Sequence, residues 1–341
     1  MFLSKIELQN FRNHRFFAAD IPQKIYIYGD NGAGKTSLAE SVYLLSTLKT
    51  FRQDDIVNLR TFNEKYMRIE GVFSGGNTEN IVYFYQDKRV IRINGTEPEK
   101  LSDYIYTLPA ICYSPNFESI FSQQHSDRRR FLDRMVFYTD QVHLHDLRRY
   151  NSLLARKRAE LDKELPDAEL LSAINEQTLP LSEAISERRQ ILVAAVNKKI
   201  TENQERAAFF LPDMNLELHI SSLSDRDEKK ELECRRLLYG AHKDLLYLKQ
   251  SGKTIEKFQS FGQKKAFLLF LLYYFAIYVE EYRKCDIMVI LDDFEAGLDT
   301  RRCCFLNELF LSEVSENKQL IMTGLNKRQY AGVETLLLTI Q

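Results

Sequence analysis

Residues 24–45 read KIYIYGDNGAGKTSLAESVYLL. The first five residues, KIYIY, predict a β-strand, and Lys35 to Lys49 predicts a helix with Leu38, Val42 and Leu45 on one face. Between and overlapping them lie Gly29, Asp30, Asn31, Gly32, Ala33, Gly34, Lys35 and Thr36, followed by Ser37. This run fits GxxxxGK[ST] at every fixed position. Gly29, Gly32 and Gly34 let the backbone curl so that successive N–H groups converge. Those donors and the N-terminus of the helix can bind a polyphosphate. Lys35 is suited to reach the β- and γ-phosphates, and the Thr36 hydroxyl to ligate Mg²⁺. A strand, a phosphate loop and a helix in this order predict an α/β fold of the P-loop class.

Such a site needs a carboxylate at the end of a neighbouring strand. Residues 287–293, IMVILDD, form an apolar strand that ends in two acids. Asp292 is the candidate metal holder, acting through water, and Asp293 the residue that orients or deprotonates an attacking water. Three further features narrow the class. Ser260, Phe261, Gly262 and Gln263 open a long apolar helix about thirty residues before the acid pair. That is the position of an ABC signature, where a serine and a helix N-terminus cap the γ-phosphate held by a second subunit. Leu298-Asp299 follows at D-loop distance. Leu320 to Thr323 reads as a strand ending in a hydroxyl, the place of a switch residue.

Elsewhere, residues 2–9 read as a strand, and 66–95 as an antiparallel meander of three strands with turns at SGGNTE, DK and NG. From about 126 to 208 the pattern becomes helical and charge-dense, with breaks expected at Pro166 and Pro180. Residues 213–220 are expected to return as a strand. The fold read from this is an ABC-ATPase-like head with a mixed sheet and a β-meander, built from 1–125 and 236–341, with a helical arm inserted at 126–235.

The bulk numbers set few further limits. The chain has 341 residues, 44 % hydrophobic and 28 % charged, with a formal net charge of -1. Any contact with nucleic acid must therefore come from local basic patches. The five cysteines form no CxxC pair, which argues against a metal cluster or disulfide framework and fits a reducing compartment. No signal-peptide profile is visible. The apolar run from Ala266 to Val279 is too short for a bilayer and predicts a buried helix. His125, His143, His145 and His242 are not spaced as a catalytic set.

Beyond these motifs, the sequence resembles the RecF family over nearly its whole length. The resemblance rests on IELQNFRNH (6–14), LLSTLKTFR (44–52), SPNFESI (114–120), RRRFLDR (128–134), LRRYNSLLARK (147–157), GAHKDLLYL (240–248) and LDDFEAGLD (291–299). It departs at Ala241, where the family favours proline, and at Leu245, where a second acid is common. Phe261 and Gly297 are also unusual, and the chain is slightly short. The resemblance implies a slow, DNA-stimulated ATPase that uses ATP and Mg²⁺ and dimerises when ATP is bound. It implies single- and double-stranded DNA at gaps as ligand, and partners of the RecR, RecO and RecA type. No membrane is implied, and the expected location is cytoplasmic, at the nucleoid. Arg12 becomes a candidate for reaching the nucleotide. Arg128, Arg130, Arg148, Arg149, Arg156 and Lys157 become candidates for DNA contact, against the alternative of a solvated helix surface laced with ion pairs. His242 could lie near the nucleotide or serve structurally. Rival readings are a small-molecule kinase, an ABC-type ATPase serving a nuclease or transporter, and a clamp without hydrolysis.

Overall fold

The computed structural model describes residues 1–52, 55–75, 78–115, 120, 125–203, 205, 211–221, 228–255, 259–312 and 318–339. The chain forms two compact units. Met1–Glu118 and Phe261–Gln341 make the first, and Ser119–Ser260 the second.

The first unit contains two five-stranded sheets. One is antiparallel. It is built from β1 (Phe2–Phe11), β2 (His14–Asp20), β4 (Met67–Ser74), β5 (Glu79–Tyr85) and β6 (Arg89–Ile93), in the order β2-β1-β4-β5-β6. The expected meander is thus extended by β1 and by β2, an edge strand that the sequence hid. Most side chains of β2 lie at least partly in solvent, so it shows no clean apolar alternation. The other sheet is parallel. It contains β3 (Lys24–Tyr28), β7 (Ala110–Tyr113), β11 (Ile287–Leu291), β12 (Lys318–Gly324) and β13 (Glu334–Leu337), in the order β13-β3-β12-β11-β7. β7, β11 and β12 are buried at every position, as strands covered on both faces should be.

Helix α1 (Lys35–Thr47) touches β7 and β12 of the parallel sheet and β1, β4 and β5 of the antiparallel one. Leu38, Val42 and Leu45 are fully buried in a core shared with Ile25, Ile290 and Ile321 on one side and Leu3, Ile69 and Ile81 on the other. Each such aliphatic side chain contributes about 2 kcal/mol of burial. A short helix, α2 (Leu101–Thr107), precedes β7. The long helix that opens at the expected Ser260–Gln263 signature, Phe261–Arg283, packs against β7 and β11, and the helix Thr300–Ser312 packs against it. The expected apolar run is the buried part of the former. No helix among the described residues is long and apolar enough to cross a membrane. The two ends of the chain are stitched together by Gln319, whose side chain accepts from Leu3 N–H at 2.8 Å and donates to Leu3 C=O at 2.7 Å.

The second unit carries α3 (His125–Thr139), α4 (Val142–Leu161), α5 (Ala168–Glu202) and α6 (Glu228–Cys234). It also has a three-stranded antiparallel sheet of β8 (Met214–His219), β9 (Leu245–Gln250) and β10 (Lys253–Thr254), in the order β10-β9-β8. A boundary at 235 would separate β8 from its partner β9, so this unit extends past the expected 126–235. Helices α4 and α5 form an antiparallel pair: Tyr150 and Leu153 meet Leu181 and Ile185, and Leu161 meets Leu171. Asp167 caps α5 by accepting from the N–H groups of Glu169 and Leu170 at 3.0 and 3.1 Å. Pro180 does not break α5, contrary to the reading of the sequence. It sits on the exposed side, where water can solvate the carbonyl it leaves unpaired, while Ile174, Leu181 and Ile185 hold the helix by packing. The stretch 116–119 of SPNFESI lies outside the described residues.

For the remaining helices of the first unit, α7 denotes Phe261–Arg283 and α8 Thr300–Ser312.

Candidate functional site

β3 delivers the glycine loop and α1 receives it. Gly34 is the N-cap of α1, at φ 95°, and no side chain caps the helix there. A side chain at this position would be strained, and its Cβ would lie 2.4 Å from His14 Nε2. The first-turn N–H groups of Lys35, Thr36 and Ser37 therefore form an anion-seeking helix terminus. Lys35 Nζ spans the loop, donating to the carbonyls of Gly29 at 2.7 Å and Asp30 at 2.9 Å. Asp30, Asn31 and Gly32 are exposed, whereas Ala33 and Ser37 are buried.

Two residues that the motif search missed brace this loop from beneath. Asn13 Nδ2 donates to Gly32 C=O at 3.0 Å, and His14 Nε2 to Gly34 C=O at 3.1 Å. Burial lowers the His14 pKa below the ordinary imidazole value, against the pull of the Gly34 carbonyl, so a neutral ring donates. Both sit inside IELQNFRNH, but nothing in that string marks them as loop braces.

The acid pair lies beside the loop. Asp292, at the end of β11, is buried. Its Oδ1 accepts from Thr323 Oγ1 at 2.8 Å, and the Thr36 hydroxyl lies close enough to favour the charged carboxylate. Burial raises its pKa, while the two hydroxyls act in the opposite direction. Thr323, at the end of β12, accepts in turn from the backbone N–H of Asp293 at 2.9 Å. The expected hydroxyl after Leu320 thus connects both acids. Asp293 adopts φ 48°, a left-handed conformation rare outside glycine and asparagine. Lys265 Nζ holds its carbonyl at 3.1 Å and that of Ala296 at 2.6 Å. The Thr36 hydroxyl and the Asp292 carboxylate are neighbouring hard oxygen donors, a donor set that suits Mg²⁺.

Arg12 is committed differently from its expected role. Its guanidinium makes a two-pronged bond to the fully buried Glu40 of α1, at 2.8 and 2.9 Å. Arg52 lies 3.9 Å from the same carboxylate. Replacing Arg12 with alanine strips most of the compensation from a buried charge, and should cost about 3 kcal/mol of stability. Chemical denaturation checks this; a loss under about 0.5 kcal/mol would mean that Arg52 alone suffices.

Ser260 is exposed and immediately precedes α7, with Gly262 and Gln263 in the first turn of the helix. Gly297, at φ 76°, lies against the Phe261 ring, and a Cβ there would come within 3.1 Å of it. The two unusual residues therefore touch: the bulky ring occupies space that the glycine leaves free. Asp299 caps α8, accepting from Arg302 N–H at 2.9 Å.

In the second unit the basic candidates separate. Arg128 is buried and donates to the carbonyls of Ile120 at 2.9 Å and Leu246 at 3.0 Å. Lys157 is buried against Glu231. Arg148, Arg149 and Arg156 are exposed on α4, and Arg130 is exposed beside Asp127. Buried Arg189 joins Asp133 and Asp244, each at 2.7 Å. His242 Nδ1 meets the Tyr150 hydroxyl at 2.9 Å, and burial lowers its pKa to about 4.

Comparison with known proteins shows the family of the chain and its fold. A protein of Acholeplasma laidlawii named DNA replication and repair protein RecF is 28 % identical over 94 % of this chain and 93 % of its own. A protein of the same name from Carboxydothermus hydrogenoformans is 28 % identical over 91 % of each. In fold, the chain superposes on a solved structure of the recombination mediator protein RecF with ATP. That match has a TM-score of 0.79 and 23 % identity, and covers 96 % of this chain and 94 % of the other. The profile of the RecF/RecN/SMC N-terminal domain family matches residues 2–341, and the chain belongs to that family.

Proposed function

We propose that this chain is an ATP-gated, DNA-binding recombination mediator of the RecF kind, with hydrolysis serving as its switch. The observation that carries the reading is the hydrogen-bonded chain Asp292–Thr323–Asp293, with Thr36 near Asp292, set beside an uncapped helix terminus and Lys35. Loop N–H groups and Lys35 bind the phosphates of ATP. Thr36 and Asp292 hold Mg²⁺, which when bound offsets charge on the phosphate oxygens. Thr323 fixes the backbone of Asp293, and Asp293 orients the attacking water and takes its proton.

Capping of the γ-phosphate falls to Ser260, Gly262 and Gln263 of a second copy, so ATP joins two protomers and hydrolysis parts them. Ser260→Arg tests this. The variant should bind ATP with unchanged affinity yet remain monomeric in light scattering with ATP, whereas an ATP-dependent dimer of normal strength would refute the shared site.

DNA is gripped through phosphates, and the exposed Arg148, Arg149 and Arg156 on α4, with Arg130, are the contact candidates. Arg128 and Lys157 instead serve their own unit. Changing Arg148, Arg149 and Arg156 together to glutamine should lower the slope of log affinity against log salt by about 2–3. Salt titration of DNA binding measures it, and an unaltered slope would remove α4 from the interface. The likeness to RecF proteins, one of them solved with ATP as a mediator of the RecFOR pathway, favours RecO- and RecR-type partners and RecA loading at gaps in the cytoplasm over service to a nuclease or transporter.

A further inference from the structure

The segment between β11 and α8 is held at a point that no nucleotide chemistry requires. Glu295 lies two residues beyond Asp293 and four before Asp299. Its carboxylate is nearly buried and gathers four donors. Oε2 pairs with Arg328 Nε at 2.8 Å. Oε1 accepts from the Tyr330 hydroxyl, from Asn307 Nδ2 at 3.1 Å and from Cys303 Sγ at 3.3 Å. Arg328 and Tyr330 follow β12, the strand whose last but one residue is Thr323. Asn307 and Cys303 belong to α8, the helix capped by Asp299. Tyr330 is itself seated edge-on against Tyr26 of β3, the strand that carries the phosphate loop.

Two chain segments are therefore joined twice. Thr323 ties β12 to Asp292 and Asp293, and Arg328 with Tyr330 ties the following turn to Glu295. A displacement of the end of β12 cannot relax at the acids alone. It must carry Glu295, and with it the stretch that leads to Leu298 and Asp299. Charge-assisted bonds such as that of Arg328 to Glu295 are the strong class of hydrogen bond, and their geometry is directional.

We infer that Glu295 is a positioning residue that couples the hydroxyl at the end of β12 to the D-loop, so that occupancy of the phosphate site sets the geometry of the face offered to a second copy of this chain. This rests on the proposed ATP-gated dimer. The partners of Glu295 all belong to α8 and to the segment after β12, and its effect is on self-association rather than on ATP binding or the chemical step.

The experiment compares wild type, Glu295→Gln, Arg328→Met and the double variant. Arg328 is about half exposed, so its replacement leaves the fold intact even if Glu295→Gln does not. Three readouts are taken: affinity for a fluorescent ATP analogue, the protein concentration at half-dimerisation with ATP, and single-turnover hydrolysis within dimers formed at saturating protein. Each single variant should bind the analogue within about twofold of wild type and hydrolyse within about threefold once dimeric. Its half-dimerisation concentration should rise about tenfold, the expected scale for losing one charge-assisted bond. The double variant should resemble either single one, since both remove the same link. Arg328→Lys should recover part of the loss. A half-dimerisation concentration within twofold of wild type for Arg328→Met would overturn the coupling, as would a loss of ATP affinity equal to the loss of association. If wild type itself fails to dimerise with ATP, the underlying functional reading falls, and the two failures are thus told apart.

Discussion

Lys35→Ala is expected to weaken ATP binding at least about 100-fold, because it removes charge-assisted bonds to two phosphates, each worth about 1.5–3 kcal/mol. The fold should survive. The carbonyls that Lys35 engages belong to Gly29 and Asp30, and Asp30 lies in solvent, where water replaces the ammonium. The core beneath is carried by Leu38, Val42 and Leu45, which face the other way. Titration with a fluorescent ATP analogue, alongside a thermal melt, separates the two effects. Affinity within threefold of the parent at an unchanged melting temperature would mean that the triphosphate sits elsewhere.

Asp293→Asn should retain ATP and lose hydrolysis by about 10²–10³-fold, the range usual for removing a positioned base. The substitution is well chosen on backbone grounds. Asp293 sits at φ 48°, and asparagine tolerates the left-handed region as well as aspartate does. Residue 293 enters the bond to Thr323 Oγ1 and the bond from Lys265 Nζ through its main chain alone, so both persist. The change is then confined to the carboxylate. ATP-bound dimers should accumulate and outlast those of the parent, as seen by light scattering after free ATP is removed. Turnover at the parental rate would assign the base elsewhere. Asp292→Asn is a blunter tool, since its buried carboxylate accepts from Thr323 and lies near Thr36.

What could be read from the sequence was whatever has a fixed spacing. The phosphate loop, the acid pair and the hydroxyl at 323 are tied to strand ends, and β3 and β11 lie where the apolar runs placed them. What could not be read was whatever depends on a partner remote in the chain. Asn13, His14, Lys265 and Glu295 act on backbone carbonyls or on side chains far along the sequence, and such bonds leave no periodic trace. β13 is short and largely exposed, and only its pairing with β3 identifies it. The inward turn of Arg128, by contrast, was available: it shares a helical stripe with Phe131, Leu132 and Met135, all buried. Its charge, grouped with two neighbouring arginines, masks that period.

β3 takes its hydrogen-bonding neighbours, β12 and β13, from beyond residue 317. During synthesis the second unit is therefore fully translated while the strand bearing the phosphate loop still lacks both neighbours. Ribosome-bound chains that stop short of residue 318 should display a folded arm and a head that cannot retain nucleotide, so that competence arrives only once β12 and β13 have been made.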